Sequence, residues 1–402
     1  MIKSIKIKKT ITQVMLTGLI LFIFGCTRES ENGQTPLMEA ARKGKVEIVK
    51  SLIEEGAEIN AKDEDGWTAL MLAAVKGHPE AVTALINAGA EVYKKSKRQL
   101  LIPRYGLSAV CANNYIYVLG GSSLRGITGV VERYNINDER SKLLNINLLP
   151  RRYHTAELYN GKIYIMGGYN SKNELVDSVE IVDIETGKVS YGTPLPRPRY
   201  FGDSVLIKDK IYFVGGSTFD KKSVTTVDIY NIKKDRWEKG TSMPESIQTD
   251  LVYKFGKIYA IGGFNGVKAV KDFFVFNIND NSWEKLDELP FPLSAHNAVA
   301  VDNKIYSFGD YYELDRIWEY NFGEKVWDVI MSRGIHTKTE LPSGVASYKF
   351  KSEQIYSPSR HNAVVVKNDK IYIIGGNRSS YGSYIGDIQV IGIQKLEEAS
   401  RQ

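Results

Sequence analysis

Apolar positions along this chain follow three successive patterns. Between Ile11 and Phe24 they form a single run, preceded by Lys3, Lys6, Lys8 and Lys9. From Gly33 to Gly89 they recur with a period of 33: Gly33, Thr35, Ala40-Ala41, Gly44 and Gly56 return as Gly66, Thr68, Ala73-Ala74, Gly77 and Gly89. This pattern predicts two helix pairs. Thr35 caps a helix whose first position suits Pro36, Val46 to Ile53 forms the second helix, and Gly56 and Gly89 end the pairs in the left-handed conformation that a residue without Cβ adopts readily. From Tyr105 onward the pattern changes to short β-rich runs, each carrying Ile-Tyr and then a glycine pair.

There are six such runs. Their first glycines stand at 120, 167, 215, 262, 309 and 375, giving gaps of 47, 48, 47, 47 and 66. Ile116-Tyr117, Ile163-Tyr164, Ile211-Tyr212, Ile258-Tyr259, Ile305-Tyr306 and Ile371-Tyr372 predict a buried second strand in each copy, and only the fifth replaces its second glycine, as Gly309-Asp310. Trp237, Trp283 and Trp327 recur near the start of the fourth strand and are expected in the packing between copies. The 33-residue period resembles ankyrin repeats and the period of about fifty resembles Kelch repeats. Together they imply a multidomain protein, an all-β six-bladed Kelch β-propeller preceded by a short all-α ankyrin-repeat module. The expected boundaries are a leader over 1–25, an N-terminal linker over 26–31, two ankyrin repeats over 32–92, the propeller over 93–394 and a tail over 395–402. Ile388 to Ile391 matches a third strand with no fourth after it, so residues 93–101 are expected to return as the closing strand of blade six and remove an exposed sheet edge.

The lysine-led run is too short to span a bilayer comfortably and ends in Gly25-Cys26, which reads as a secretory signal. It resembles a bacterial lipobox. That resemblance implies diacylglycerol attachment at Cys26, residence in the cell envelope and, with Thr27 following, sorting to the outer membrane. The formal net charge of +6 owes four charges to the leader lysines, so the remainder is close to neutral; no dense Lys/Arg stripe is interleaved with aromatics, which argues against nucleic acid as a partner. With Cys26 acylated, Cys111 is the one thiol left and cannot form an intrachain disulfide.

No metalloprotease, nucleophile-elbow, phosphate-loop or paired-cysteine motif occurs, and neither a metal nor a cofactor is expected. The binding candidates are positional. Arg104, Arg152, Arg199 and Arg360 lie fifteen or sixteen residues before a first glycine, which predicts a lopsided ring of positive charge around one mouth of the central channel; the fourth and fifth blades have Ser246 and Leu293 there. His154, His296 and His361 recur near the start of their first strands. The insertion between Trp327 and Arg360, with Arg333, His336, Lys338, Tyr348, Lys349, Phe350 and Lys351, is expected beside the same mouth and suited to an anionic or glycosylated partner. These features point to a binding or scaffolding protein for a protein, peptide or envelope glycan. The alternative is an enzyme on sugars, similar to a sialate mutarotase.

Overall fold

A computed structural model describes residues 32–401 except Lys221, Ser246, Tyr312, Glu313, Asp315, Pro358 and residues 332–344, 350–356 and 379–382. Cys26 and the leader lie outside the described residues, as do Arg333, His336, Lys338, Phe350 and Lys351. The chain divides into two compact units, Met1–Glu91 and Val92–Gln402.

In the first unit the two repeats fold as helix pairs, Pro36–Arg42 with Val46–Glu54 and Ala69–Val75 with Pro79–Asn87. Thr35 and Thr68 cap the leading helices by accepting from the Met38 and Met71 N–H groups, each at 3.3 Å. Stacking the pairs buries Leu37, Ala41, Val49, Leu72, Ala73 and Leu85, the apolar face that neither repeat could hide alone.

The second unit is the propeller. Its blades are antiparallel sheets whose innermost strands are Ser108–Ala112, Arg152–Tyr159, Asp203–Ile207, Gln248–Lys254, Asn297–Val301 and Ala363–Lys367. Each inner strand packs against the inner strands of its two neighbours, and the first meets the last, so the ring is closed. The core is divided accordingly. Apolar clusters fill the spaces between successive blades, for example Ile258 and Phe274 against Ile229, and Ile371 and Ile373 against Tyr306. The recurrent tryptophans tie the outer edges: the Trp237 indole donates to the Thr193 carbonyl and Trp283 to Thr241, each at 2.9 Å and each reaching back to the chain leaving the previous blade.

Blade closure departs from the expected single strand. Residues 98–100 pair with the third strand of blade six, where Ile388 N–H donates to Arg98 O at 2.8 Å and Leu100 N–H to Gly386 O at 2.7 Å. Residues 92–94 instead line the outermost strand of blade one, with Tyr93 opposite Lys142. Arg98, at φ 55°, marks the bend between these two pairings. The segment therefore laces blade six to blade one, and Leu100, Leu101 and Ile102 enter the core behind it.

Two further departures follow from the sequence after Trp327. Val345–Lys349, the part of the insertion that carries Tyr348 and Lys349, pairs in parallel with Val326–Met331 and becomes a fifth strand on the outer edge of blade five, the edge opposite the channel. The expected boundary between propeller and tail at 394 falls inside a helix, Ile393–Arg401, which buries Ile393 and Leu396 against blade-five and blade-six residues.

Deleting residues up to Ala90 should leave a propeller that melts as in the full chain. Deleting up to Leu101 removes both seam pairings and two buried leucines, and should lower its melting temperature by ~10 °C or more. Equal melting of the two truncations by circular dichroism would refute the seam.

Candidate functional site

Blades one, two and three receive the preceding blade through one repeated junction. The carbonyl of the residue sixteen positions before a first glycine accepts from the second glycine N–H of the preceding blade: Arg151 O from Gly121 at 2.8 Å, Arg199 O from Gly168 at 2.9 Å, and Arg104 O from Gly376 at 2.9 Å. The approach leaves no room for a side chain, since a Cβ on Gly120 would stand 2.8 Å from Arg151 O.

Two residues further on, the chain turns through the left-handed region to enter the inner strand. Gly106, Tyr153, Phe201, Ala295 and His361 all have φ between 51° and 61°. For aromatic side chains this conformation costs about 1–3 kcal/mol each and persists where surrounding contacts fix it. Here those contacts are blade-to-blade hydrogen bonds: His361 N–H to Ala295 O at 3.2 Å, Gly106 N–H to His361 O at 2.8 Å, Tyr153 N–H to Gly106 O at 2.8 Å and Phe201 N–H to Tyr153 O at 3.2 Å. The turns thus form a partial ring around one mouth of the channel.

Blade four has no member in this ring. Tyr105, Arg152, Tyr200 and Arg360 pair with Ser122, Tyr169, Ser217 and Asn377, whereas Gln248 pairs with Phe264, one residue closer. Ile247 O accepts from Gly216 N–H at 3.0 Å, the place that Arg199 O takes one blade earlier. A single residue is therefore missing between the junction and the inner strand of blade four, and the strand carries a bulge between Gln248 and Asp250.

This register separates the four candidate arginines into two kinds. Arg104 and Arg199 stand at the junction position and are fully buried. Arg104 pairs with Glu132 and donates to the Ile102 and Val118 carbonyls; Arg199 bonds Asp228 at 2.6 Å and Gly215 O at 2.6 Å. Arg151 matches them through Glu180 at 2.7 Å and was not among the sequence candidates. These side chains clamp a blade's own third strand and present no charge to the mouth, correcting the expected ring of positive charge. Arg152 and Arg360 stand one residue later and turn to the mouth side. Arg152 is half-buried among tyrosines, donating to Tyr169 Oη at 2.9 Å and Tyr105 Oη at 2.6 Å, and Arg360 stacks 4.1 Å from the Tyr311 ring centre.

The histidines divide in the same way. His154 and His296 wedge between blades, as where the His154 ring lies against Gly120, and burial drives their pKa values down to about 3 and about 4. His361 belongs to the ring of turns; burial and the charges of Arg360 and Arg152 take it down to about 3. All three are neutral at pH 7. Among the described residues no group of three or more His, Cys, Asp or Glu is placed to hold a metal ion.

The mouth opens into a cavity of about 640 Å³. Tyr153, Phe201 and His361 lean together over one side, with ring centres 3.9, 5.1 and 5.7 Å apart, and Tyr105, Tyr169, Tyr200 and Phe219 extend the aromatic surface. On the opposite side, over blades four and five, the ring of turns has the vacancy and Ala295, with Phe264 and Tyr311 in the cavity wall. Inside the channel Asp203 accepts from Leu251 N–H at 2.8 Å and Asp250 from Ala298 N–H, each carboxylate holding the inner strand of the next blade. Parallel inner strands lack a shared backbone ladder, and these side chains substitute for one. Burial raises the pKa values of both Asp203 and Asp250, and the charge of Asp203 raises that of Asp250 further. Glu157, bonded to Ser204 Oγ at 2.9 Å, is pushed by burial up to about 8.

Residues 12–96 match the family described as ankyrin repeats (3 copies), residues 92–251 the KLHDC2/KLHL20/DRC7 Kelch-repeats domain, and residues 256–290 the Kelch motif. The chain thus carries ankyrin repeats at its N-terminal side and Kelch repeats after them, and both are typical protein-interaction modules. It is similar to Mei4-dependent protein 6 of Schizosaccharomyces pombe (29% identical, 17% of this chain and 12% of the relative) and to the Rho GTPase-activating protein gacHH of Dictyostelium discoideum (30%, covering 15% and 4%). It also resembles the putative F-box/kelch-repeat protein At3g27910 of Arabidopsis thaliana (31%, covering 21% and 22%). The matched part spans less than a quarter of each of these relatives.

Arg104→Ala should strand the buried Glu132 carboxylate and cost about 3–5 kcal/mol in urea unfolding, whereas Arg152→Ala should cost about 1–2 kcal/mol; equal losses would refute the division by register. For Glu157, protonation is favoured in the folded state, so its contribution to stability is full below pH 4.5 and falls as pH rises to about 8, at up to ~1.4 kcal/mol per pH unit. Glu157→Gln should therefore melt higher than wild type at pH 8.5 and alike at pH 4. Buried neutral histidines act on the other side, withdrawing stability as pH falls from 6.5 toward 3.

Proposed function

We propose that this protein is a lipid-anchored binding protein of the bacterial cell envelope, which holds a protein or peptide partner at the aromatic mouth of its propeller. The observation that carries the reading is the cluster of bulky residues, Tyr153, Phe201 and His361, held at positive φ around a cavity. Strain of this kind is retained where it presents side chains. Aromatic residues give large contact area with few rotatable bonds, which lowers the entropy lost on binding. Exposed apolar residues at loop tips on blades one, three, four and five, Leu124, Phe219, Val267 and Tyr311, widen that surface. Gly25-Cys26 after the lysine-led apolar run supports the anchor, and the ankyrin repeats supply a second module of the protein-binding type.

Partner capture by crosslinking in envelope preparations tests the site. Tyr153→Ala with Phe201→Ala should reduce the captured partner at least ~tenfold with the propeller still folded. Undiminished capture by that variant would move the interface elsewhere. Cys26→Ser should shift the protein from the membrane to the soluble fraction, and unchanged fractionation would remove the lipid from the reading.

A further inference from the structure

The vacancy at blade four gives the mouth a direction. Four of the blade-to-blade bonds around the ring are made, and the two that would pass through blade four are not; the Phe201 carbonyl and the Ala295 N–H have no partner among the described residues. In every made link, one residue gives its N–H to the previous blade and its carbonyl to the next. A polypeptide residue seated in the vacancy would meet both free groups with the same two atoms.

The chemistry below the vacancy is that of hydrogen-bond acceptors. Asp203, Asp250 and Asn297 line the cavity there. Asn362, 2% exposed, spends its amide N–H groups on Ser359 and leaves Oδ1 unpartnered, and neither ring nitrogen of His296 has a hydrogen bond of normal geometry. Among the described lining residues there is no arginine or lysine, while Tyr153, Tyr200, Phe201, Phe264 and Tyr311 supply aromatic walls. Arg152 is bound to the Tyr105 and Tyr169 hydroxyls, and Arg360 stacks on Tyr311 and bonds its carbonyl at 3.2 Å. Aromatic faces and carboxylates around one cavity favour a cation.

We infer that the propeller receives a peptide whose backbone fills the vacancy between Phe201 and Ala295 and whose lysine or arginine side chain descends to Asp250 and Asp203. This rests on the reading of the mouth as the binding site, and its charge preference is opposite to that of the anionic or glycosylated partner expected for the insertion after Trp327.

The test is titration of the full chain with acetyl-Gly-Lys-Gly-amide and its norleucine and glutamate counterparts. The lysine peptide should bind ~tenfold more tightly than the norleucine peptide, and the glutamate peptide more weakly than either. Asp250→Asn should abolish the preference for lysine. Ala295→Tyr should block all three peptides at an unchanged melting temperature, because Tyr153 already holds a tyrosine in that conformation at the equivalent place on blade two. Equal binding of lysine and norleucine peptides, tighter binding of glutamate, or no binding of any at millimolar concentration overturns the inference. If the Tyr153/Phe201 variant still loses the captured partner in those cases, the mouth stands and only the ligand class fails. If Ala295→Tyr leaves partner capture unchanged, the seat in the vacancy fails whatever the peptides do.

Discussion

The junction between a backbone carbonyl and the glycine pair of the preceding blade sets the rest of this propeller. Inner strands of neighbouring blades run side by side without a shared ladder, so the sheets need another connection at the axis. The carbonyl of Arg151 on Gly121 provides it, and the same contact recurs around the ring. Because that contact fixes where the chain enters each inner strand, it also fixes which residue becomes the left-handed turn and which carboxylate or amide reaches the following strand. A side chain on the first glycine would press on the next blade, as at Gly120 against Arg151 O, and one on the second would press on its own blade's inner strand, as at Gly121 against Tyr105 O.

Charge is distributed in layers that follow from this arrangement. Junction arginines look inward to an acid on their own blade, Glu132, Glu180 or Asp228, where the low polarity of the surroundings makes the pair strong but makes either partner alone costly. Nearer the axis the carboxyls have no such cation, and burial raises their pKa values. The aromatic mouth lies over these layers, supported by Arg152 from behind the rings.

Most of the architecture is legible in the sequence because repeats state their own period: the glycine pairs, the Ile-Tyr strands and the 33-residue ankyrin interval each locate an element. The site was less legible because it depends on single-residue register. Arg104-Tyr105 and Arg199-Tyr200 look like Arg152-Tyr153, yet the latter pair is displaced by one position, and on an extended chain one position exchanges the buried face for the exposed one. Counting from the glycines separates fifteen from sixteen, and that count was the available signal. The same displacement separates His361 from His154 and His296. The vacancy at blade four gave no signal through the glycine spacing, which is 47 on either side of Gly262; only strand pairing shows where the residue is missing. Lacing of blade six to blade one was half visible, since a sequence identifies an unmatched strand but not the neighbour it leans on along the way.

Near-equivalence of the six stations has an implication for how such a protein changes. The scaffold tolerates glycine, alanine, histidine, phenylalanine or tyrosine at the turn, and at blade four it tolerates none at all. An insertion of one residue there and a loss of one elsewhere would carry the opening around the axis like the pointer of a dial, leaving the junctions, the inter-blade core and the seam as they are. Binding orientation is in that sense adjustable separately from the fold that carries it.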